Sequence, residues 1–238
     1  MRRAQWFWVA VAVSFIASLT PSALPLLYPF KLFTTWVHEC SHALMTVLVG
    51  GRVMAVTIEP DTSGLTHSLV PASRGAGALV ASAGYLGASL VGCFLMAATR
   101  VERRARTILY SVGACMLLTV LVWMRNVFGA VVVLAWGVAL VTMARRRRMA
   151  NALRLLLSLL AVQVALNSVY DIRVLFLIDR GQSDAATMAR IFLLPSWVWA
   201  TSWMLMSVAM LGATLWMTRG HAVVRPSAPA TSGTRTPI

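Results

Sequence analysis

Charged side chains are scarce in this sequence, and acidic ones are the scarcest. Asp and Glu together number 7 among 238 residues, charged residues of both signs make up 12%, and hydrophobic residues make up 59%. Soluble domains are about one quarter charged. The composition therefore excludes an ordinary soluble domain and predicts an integral membrane protein.

Cysteine is rare as well. The three cysteines, Cys40, Cys93 and Cys115, all lie within apolar runs. They form neither a disulfide framework nor a Cys-x-x-Cys metal pair. Each is therefore predicted to be a small packed residue.

Basic residues outnumber acidic ones by 21 to 7, which gives a net charge of +14. In a soluble protein this excess would indicate nucleic-acid binding. Here the basic residues, including the arginine quartet 145–148, stand at the ends of apolar runs, which is typical of anchors that contact lipid headgroups. The predicted partner is the lipid bilayer, with no nucleic acid.

Apolar runs of about 20 residues, the length that crosses a bilayer, recur along the chain. Seven are recognised, at 6–27, 32–50, 75–99, 107–124, 126–144, 153–178 and 191–217. The first is too long for a typical signal-peptide core and is taken as a retained span. The predicted fold is an all-α polytopic membrane protein with about seven transmembrane helices, formed by one domain over residues 1–218. A disordered tail is expected over 219–238, where Pro, Ser, Thr and Ala dominate.

The basic clusters also predict an orientation. With seven spans and the N-terminus outside, the loop 100–106, the quartet 145–148 and the tail all face the cytoplasm, as the positive-inside rule favours. Arg2 and Arg3 oppose this arrangement.

Residues 51–71 differ from the apolar runs on either side. Residues 52–58 are rich in β-branched side chains, 60–64 form a turn signal, and 65–70 extend again. This pattern predicts a β-hairpin inserted directly after the second span.

The second span contains the residues best suited to chemistry. His38 and His42 are four apart, so they share one face of a helix and can offer two imidazole nitrogens to a single cation. Glu39 follows the first of them and suits a catalytic base better than a ligand. Because these groups are costly to bury at membrane depth, a function is expected of them. The predicted cofactor is Zn²⁺, which in catalytic sites takes three protein ligands and keeps one position open.

The third ligand must come from elsewhere in the chain. Asp171, in the predicted sixth span, is the first choice, because a metal would offset the cost of an isolated membrane carboxylate. Its alternative role is a salt bridge to Arg173. Asp184 is the second choice, although helix capping in a polar loop is the more expected role for it. His67 on the hairpin is a further candidate, for which a solvated position is more usual.

Two residues are predicted to contact substrate. Asn167 lies one helical turn before Asp171, where it can orient that carboxylate or hydrogen-bond the substrate. Its alternative role is a helix–helix hydrogen bond. Val56 lies on the first strand of the predicted hairpin. An exposed edge there can pair with the backbone groups that are freed when a substrate helix unwinds. Arg125 and Asn126, between the fourth and fifth spans, are predicted to be interfacial, with a substrate contact as the alternative.

The stretch His38-Glu39-Cys40-Ser41-His42-Ala43 in a membrane span resembles the site-2 protease family of intramembrane zinc metallopeptidases, and more closely its compact B-like branch in bacteria. The similarity covers residues 30–205 and includes the stretches 51–53, 60–67, 83–87, 167–172 and 183–185. The resemblance implies zinc held by His38 and His42, with Glu39 as the catalytic base. It also implies a later-span aspartate, matched here to Asp171, and hydrolysis of peptide bonds in or near transmembrane helices in the bacterial plasma membrane.

The chain departs from the family pattern at two places. Ser41 stands where glycine is usual before the second histidine, and Asp171 is followed by Ile172 instead of the glycine of a Leu-Asp-Gly motif.

Two other functions are compatible with a metal motif in a membrane. One is a catalytically inactive pseudoprotease that binds membrane helices, but a mere binder does not need Glu39. The other is a metal transporter or sensor, which would need further histidines or acids along a path through several spans, and the sequence lacks them. An intramembrane zinc protease is therefore the favoured prediction.

Overall fold

The computed structural model describes residues 8–14, 24–99, 105–146, 149–177 and 183–219, with the backbone alone given at 24, 150, 168–177 and 218–219. The elements of these ranges, after a helical segment at 8–14, are α1 (Leu24–Leu48), β1 (Arg52–Ile58), β2 (Gly64–Leu69), α2 (Arg74–Ala98), α3 (Ala105–Val122), α4 (Val127–Arg145), α5 (Ala150–Leu177), α6 (Asp184–Phe192) and α7 (Ser196–Arg219). The tail predicted from residue 219 lies outside the described residues, except that Arg219 ends α7.

Helix α1, which contains the histidine motif, is packed on several sides. It contacts α2, α4, α5 and both strands. Leu32 and Phe33 are buried, and the ring of Phe33 lies 5.6 Å from that of Trp136 in α4. Glu39 and His42 are only 5% and 7% exposed. Burial of polar groups at this level requires partners from the surrounding elements.

The predicted β-hairpin is confirmed. Strands β1 and β2 pair antiparallel, with a bulge between Val53 and Ala55. In the turn, the carboxylate of Asp61 accepts a hydrogen bond from the backbone N–H of Ser63 at 2.9 Å, and Thr62 has a φ of 72°. Aspartate favours such turns because its side chain can hydrogen-bond the backbone two residues ahead.

The outer edge of β1 is occupied at Val56. The N–H of Val56 donates to the carbonyl of Trp123 at 2.8 Å, and its carbonyl accepts from the N–H of Arg125 at 3.2 Å. The side-chain oxygen of Asn126 accepts from the N–H of Ile58 at 3.2 Å, and its amide donates to the Ile58 carbonyl at 2.6 Å. The prediction of a free substrate-binding edge at Val56 is therefore wrong, because the α3–α4 connection already pairs with it.

Four helices of the described part of the chain are long and apolar enough to cross a membrane, namely α2, α3, α4 and α7. A shorter apolar stretch, Asn151–Asn167, lies within α5. These helices agree with an integral membrane protein, while the count of seven spans is not confirmed and stays a prediction.

The predicted seventh span begins later than expected. Helix α6 ends at Phe192, Leu193 adopts a left-handed φ of 59°, and α7 starts at Ser196. The break is explained by Pro195, which disfavours helical geometry in the residue before it. Helix α6 begins within the stretch 179–190, which the sequence predicts to be a polar loop, and the hydroxyl of Ser183 caps it by accepting a hydrogen bond from the N–H of Ala186.

Small residues on α2 allow close contact with two neighbouring helices. A Cβ atom placed on Gly92 would lie 3.2 Å from the backbone nitrogen of Ala165 in α5, and one on Gly87 would lie 2.5 Å from the hydroxyl of Ser41 in α1. Side chains at these positions would hold the helices apart. Gly87 thus leaves the room that Ser41 occupies.

Candidate metal centre

The two motif histidines direct their rings to a common point. Their Nε2 atoms lie 3.1 Å apart, and the Nδ1 of His42 lies 2.7 Å from the carbonyl oxygen of Val80 in α2. Because a carbonyl can only accept a hydrogen bond, Nδ1 of His42 carries the proton. Its Nε2 therefore keeps the lone pair that a metal requires. The ring of Tyr85 meets that of His38 edge to face, with 4.7 Å between the ring centres.

A carboxylate from a distant part of the sequence completes the cluster. Asp184, in the first turn of α6, places Oδ2 at 3.3 Å from Nε2 of His38 and 3.2 Å from Nε2 of His42. Where the two rings carry protons on Nε2 instead of a metal ion, their charge outweighs the effect of burial, so the pKa of Asp184 lies below its usual range. An ionised carboxylate is the form that binds a metal.

The spacing of the three donor atoms fits zinc. Ligand atoms bind zinc at about 2.0–2.2 Å, and the tetrahedral angle then places neighbouring ligand atoms about 3.3–3.5 Å apart. The observed separations of 3.1, 3.2 and 3.3 Å lie at the lower end of this range or just below it. Two imidazoles and one carboxylate form a donor set typical of catalytic zinc, which leaves a fourth position for water or substrate.

Glu39 lies beside this cluster at the wall of a cavity. Its Oε2 accepts a hydrogen bond from the hydroxyl of Thr66 in β2 at 2.7 Å. The cavity has a volume of about 480 Å³ and is lined by the donor cluster, by β2, and by residues of α2 and α6. Leu65, Val80 and Tyr85 contribute to its wall. The site therefore combines a metal-type donor set and a buried carboxylate at the wall of one cavity.

Comparison with known families agrees with this geometry. The sequence matches the Peptidase M50B-like family over residues 8–214, most of its length. The chain belongs to the peptidase M50B-like family. The predicted resemblance to the site-2 proteases is thereby confirmed. No curated protein and no solved structure gave a match.

Among the described side chains of this M50B-like peptidase, the carboxylate beside the two histidines is that of Asp184. The side chain of Asp171 lies outside the described residues, so its predicted ligation is not tested. Capping, the role expected of Asp184, is performed by Ser183. Because Ser183 caps α6, the carboxylate of Asp184 is left to point at the histidine rings.

The two predicted substrate contacts lie away from the cavity. The amide of Asn167 donates to the hydroxyl of Thr34 at 3.3 Å, as expected of a helix–helix hydrogen bond. Val56 is 1% exposed. Neither residue occurs among the described residues that line the cavity of the M50B-like protein. His67 is exposed on the hairpin and is not part of the donor cluster.

The site roles of three residues, Gly84, Gly64 and Thr66, were not predicted from the sequence. A Cβ atom on Gly84 would overlap Nε2 of both histidines, and one on Gly64 would lie 2.7 Å from Cγ of Glu39. Thr66 hydrogen-bonds Glu39. All three lie in stretches that contribute to the family resemblance, 60–67 and 83–87, but no local pattern indicates which strand of a hairpin faces a helix.

Proposed function

We propose that this M50B-like protein is an intramembrane zinc endopeptidase that hydrolyses peptide bonds in or near transmembrane helices of membrane proteins. The convergence of His38, His42 and Asp184 beside Glu39 supports this proposal most directly. The bacterial plasma membrane is proposed as its location, in line with the site-2 protease resemblance.

His38, His42 and Asp184 are proposed to hold the zinc ion. When bound, zinc supplies a Lewis acid that lowers the pKa of water and polarises a peptide carbonyl. Asp184 is preferred over Asp171 because its Oδ2 lies within 3.3 Å of both rings. The carbonyl of Val80 fixes the tautomer of His42, a contact that orients a ligand for binding.

Glu39 is proposed to move the proton. Its carboxylate accepts a proton from the attacking water and later delivers it to the leaving amine, so one group serves as general base and then as general acid. Glu39 is 5% exposed, which shields it from bulk water. Exclusion of water lowers the local dielectric constant and so strengthens its interaction with nearby dipoles.

Substrate is proposed to bind at the outer edge of β2. Val56 directs its backbone groups away from β2, towards Trp123 and Arg125. Thr66 is the partner of Val56 in the hairpin. In an antiparallel pair of this type, both residues direct their backbone groups outwards, so those of Thr66 point away from β1. Residues of β2 line the cavity, where an unwound substrate segment can add as a strand.

The proposal is tested with purified wild-type protein and the variants Glu39→Gln, Asp184→Asn and Asp171→Asn in detergent. Zinc content is measured, and each protein is incubated with a library of transmembrane peptides. We expect wild type, Glu39→Gln and Asp171→Asn to contain zinc and Asp184→Asn to lack it. Glu39→Gln should cleave no peptide.

Each alternative gives a different result. Zinc in wild type without cleavage of any peptide would indicate the pseudoprotease function. Retention of zinc by Asp184→Asn together with its loss from Asp171→Asn would assign the third ligand to Asp171. Absence of zinc from wild type would contradict the metal site itself.

A further inference from the structure

The carboxylate of Glu39 is held by the hairpin. The hydroxyl of Thr66 lies 2.7 Å from Oε2 of Glu39 and 3.0 Å from its backbone carbonyl oxygen. A hydroxyl has a single proton, so it donates to one of these acceptors at a time. The bond to an ionised carboxylate is the stronger of the two. Thr66 of β2 therefore contacts the proposed reacting side chain, that of Glu39 in α1.

A second residue of β2 confines the same carboxyl group. A Cβ atom on Gly64 would lie 2.7 Å from Cγ and 2.8 Å from Oε1 of Glu39. Gly64 and Thr66 are two positions apart on one strand, so they face the same side of the hairpin. The backbone of Gly64 thus packs against one part of the side chain while Thr66 hydrogen-bonds another. Together they restrict the torsions that a glutamate would otherwise sample.

The hairpin itself is fastened to α1 near its turn. The hydroxyl of Thr35 donates to the carbonyl of Thr62 at 2.7 Å, and the hydroxyl of Tyr28 donates to the carbonyl of Pro60 at 2.6 Å. On the opposite edge, Asn126 pairs with β1 through two hydrogen bonds. The position of β2 relative to Glu39 is thereby set from both sides of the hairpin.

We infer that Thr66 is a positioning residue for Glu39. The side chain of Thr66 holds the base, and its outward-facing backbone groups set the register of the substrate. This inference rests on the proposed protease function. A substrate strand paired with Thr66 is placed at a fixed distance from the carboxylate that Thr66 holds. One residue of β2 thus couples the register of the substrate to the location of the base.

The expected effect of losing the hydroxyl falls on the chemical step. Misplacement of a catalytic group by about 1 Å costs up to about 100-fold in rate. We expect Thr66→Val, which keeps the shape of the side chain, to lower kcat about 10- to 100-fold. The strand edge and the metal ligands are unchanged, so KM and zinc content should stay near those of wild type.

The experiment compares wild type, Thr66→Val, Thr66→Ser and Thr57→Val as full-length proteins in detergent. Thr57 lies on the same hairpin but is not part of the cavity wall, so Thr57→Val is the matched control for loss of a strand hydroxyl. Zinc content, kcat and KM are measured for each. Thr66→Ser, which restores a hydroxyl, should recover most of kcat, and Thr57→Val should resemble wild type.

A second readout does not depend on cleavage. A peptidyl hydroxamate ligates zinc and hydrogen-bonds a neighbouring carboxylate, so its affinity reports where the Glu39 carboxylate stands. Calorimetry should show weaker binding to Thr66→Val and recovery in Thr66→Ser, with Glu39→Gln marking the full loss of the carboxylate.

The outcomes separate this inference from the proposed function. An unchanged kcat and hydroxamate affinity in Thr66→Val would overturn the positioning role, as would failure of Thr66→Ser to recover either. Loss of zinc from Thr66→Val would show a merely structural role and would also overturn it. If wild type binds zinc but cleaves nothing, the proposed function fails and the hydroxamate affinities alone decide the role of Thr66.

Discussion

Replacement of Gly84 by alanine should empty the metal centre while leaving the fold intact. Gly84 lies in α2 opposite α1, and a Cβ atom there would overlap Nε2 of both His38 and His42. Non-bonded carbon contacts normally lie at about 3.5–4.0 Å. The added methyl group therefore takes the space between the two nitrogens, where an ion must sit.

The size of the effect follows from two opposing terms. Alanine favours a helix over glycine by about 1 kcal/mol, whereas overpacking a tight site costs about 1–3 kcal/mol. The net change in folding stability should therefore be small, because the methyl group can be accommodated by turning the histidine rings. Turned rings no longer share a ligand point, so the loss of zinc affinity should exceed the about 10- to 100-fold that follows when a partner behind a metal ligand is removed.

The assay is zinc quantification by mass spectrometry on purified Gly84→Ala, with unfolding followed in detergent. Gly212→Ala is the matched control, since a Cβ atom on Gly212 has no neighbour within 4 Å. We expect Gly212→Ala to keep its zinc and Gly84→Ala to lose it at a similar unfolding midpoint. A Gly84→Ala protein with full zinc content would refute the assignment of the ion to this position.

Three further predictions concern the elements around the site. Asn126→Ala removes both hydrogen bonds to Ile58 and should lower the free energy of unfolding by about 1–3 kcal/mol, measured by denaturant titration in detergent, and an unchanged midpoint would contradict the tether. Ser183→Ala removes the cap of α6, which costs about 1 kcal/mol; competition with a chelator should then show weaker zinc binding through Asp184, recovered in Ser183→Thr. N-methylation of the substrate amide that pairs with the outer edge of β2 should raise KM without changing kcat, and equal kinetics for both peptides would argue against strand addition.

The motif and the hairpin were predictable because their signals are local. His38 and His42 are one helical turn apart, so the helix alone brings them together. The hairpin is predicted by β-branched residues in the strands and by the turn around Asp61, where the aspartate side chain accepts a hydrogen bond from the backbone two residues ahead. Both features depend on a few consecutive residues and little on the rest of the fold.

The third metal ligand was harder to predict from the sequence than the two histidines, because its position depends on how the helices pack. The cost of an isolated carboxylate in an apolar run directed attention to Asp171. Asp184 stands in a polar stretch, and it reaches the histidines only because α6 packs on α2 and α7. The residues that bring α6 there, such as Ala185 and Met188, are buried with Trp203 of α7. Neither charge nor periodicity in the sequence reveals that contact.

The partner of the outer edge of β1 also could not be predicted from local sequence. Two strands can be predicted from alternation and a turn, but the neighbour of each outer edge depends on tertiary structure. Val56 pairs with Trp123 and Arg125, residues that a linear reading places in a simple connection between two spans. The strand that faces the cavity could be identified only once that pairing was known.

The close approach of Gly87 to Ser41 has an evolutionary consequence. One of these two positions must be glycine for α1 and α2 to remain in contact, but either of the two can be the one that carries a side chain. A chain with glycine before the second motif histidine would have room for alanine opposite it, whereas this chain has serine before the histidine and glycine opposite it. A side chain at position 87 should therefore be accepted only when the one at position 41 is removed.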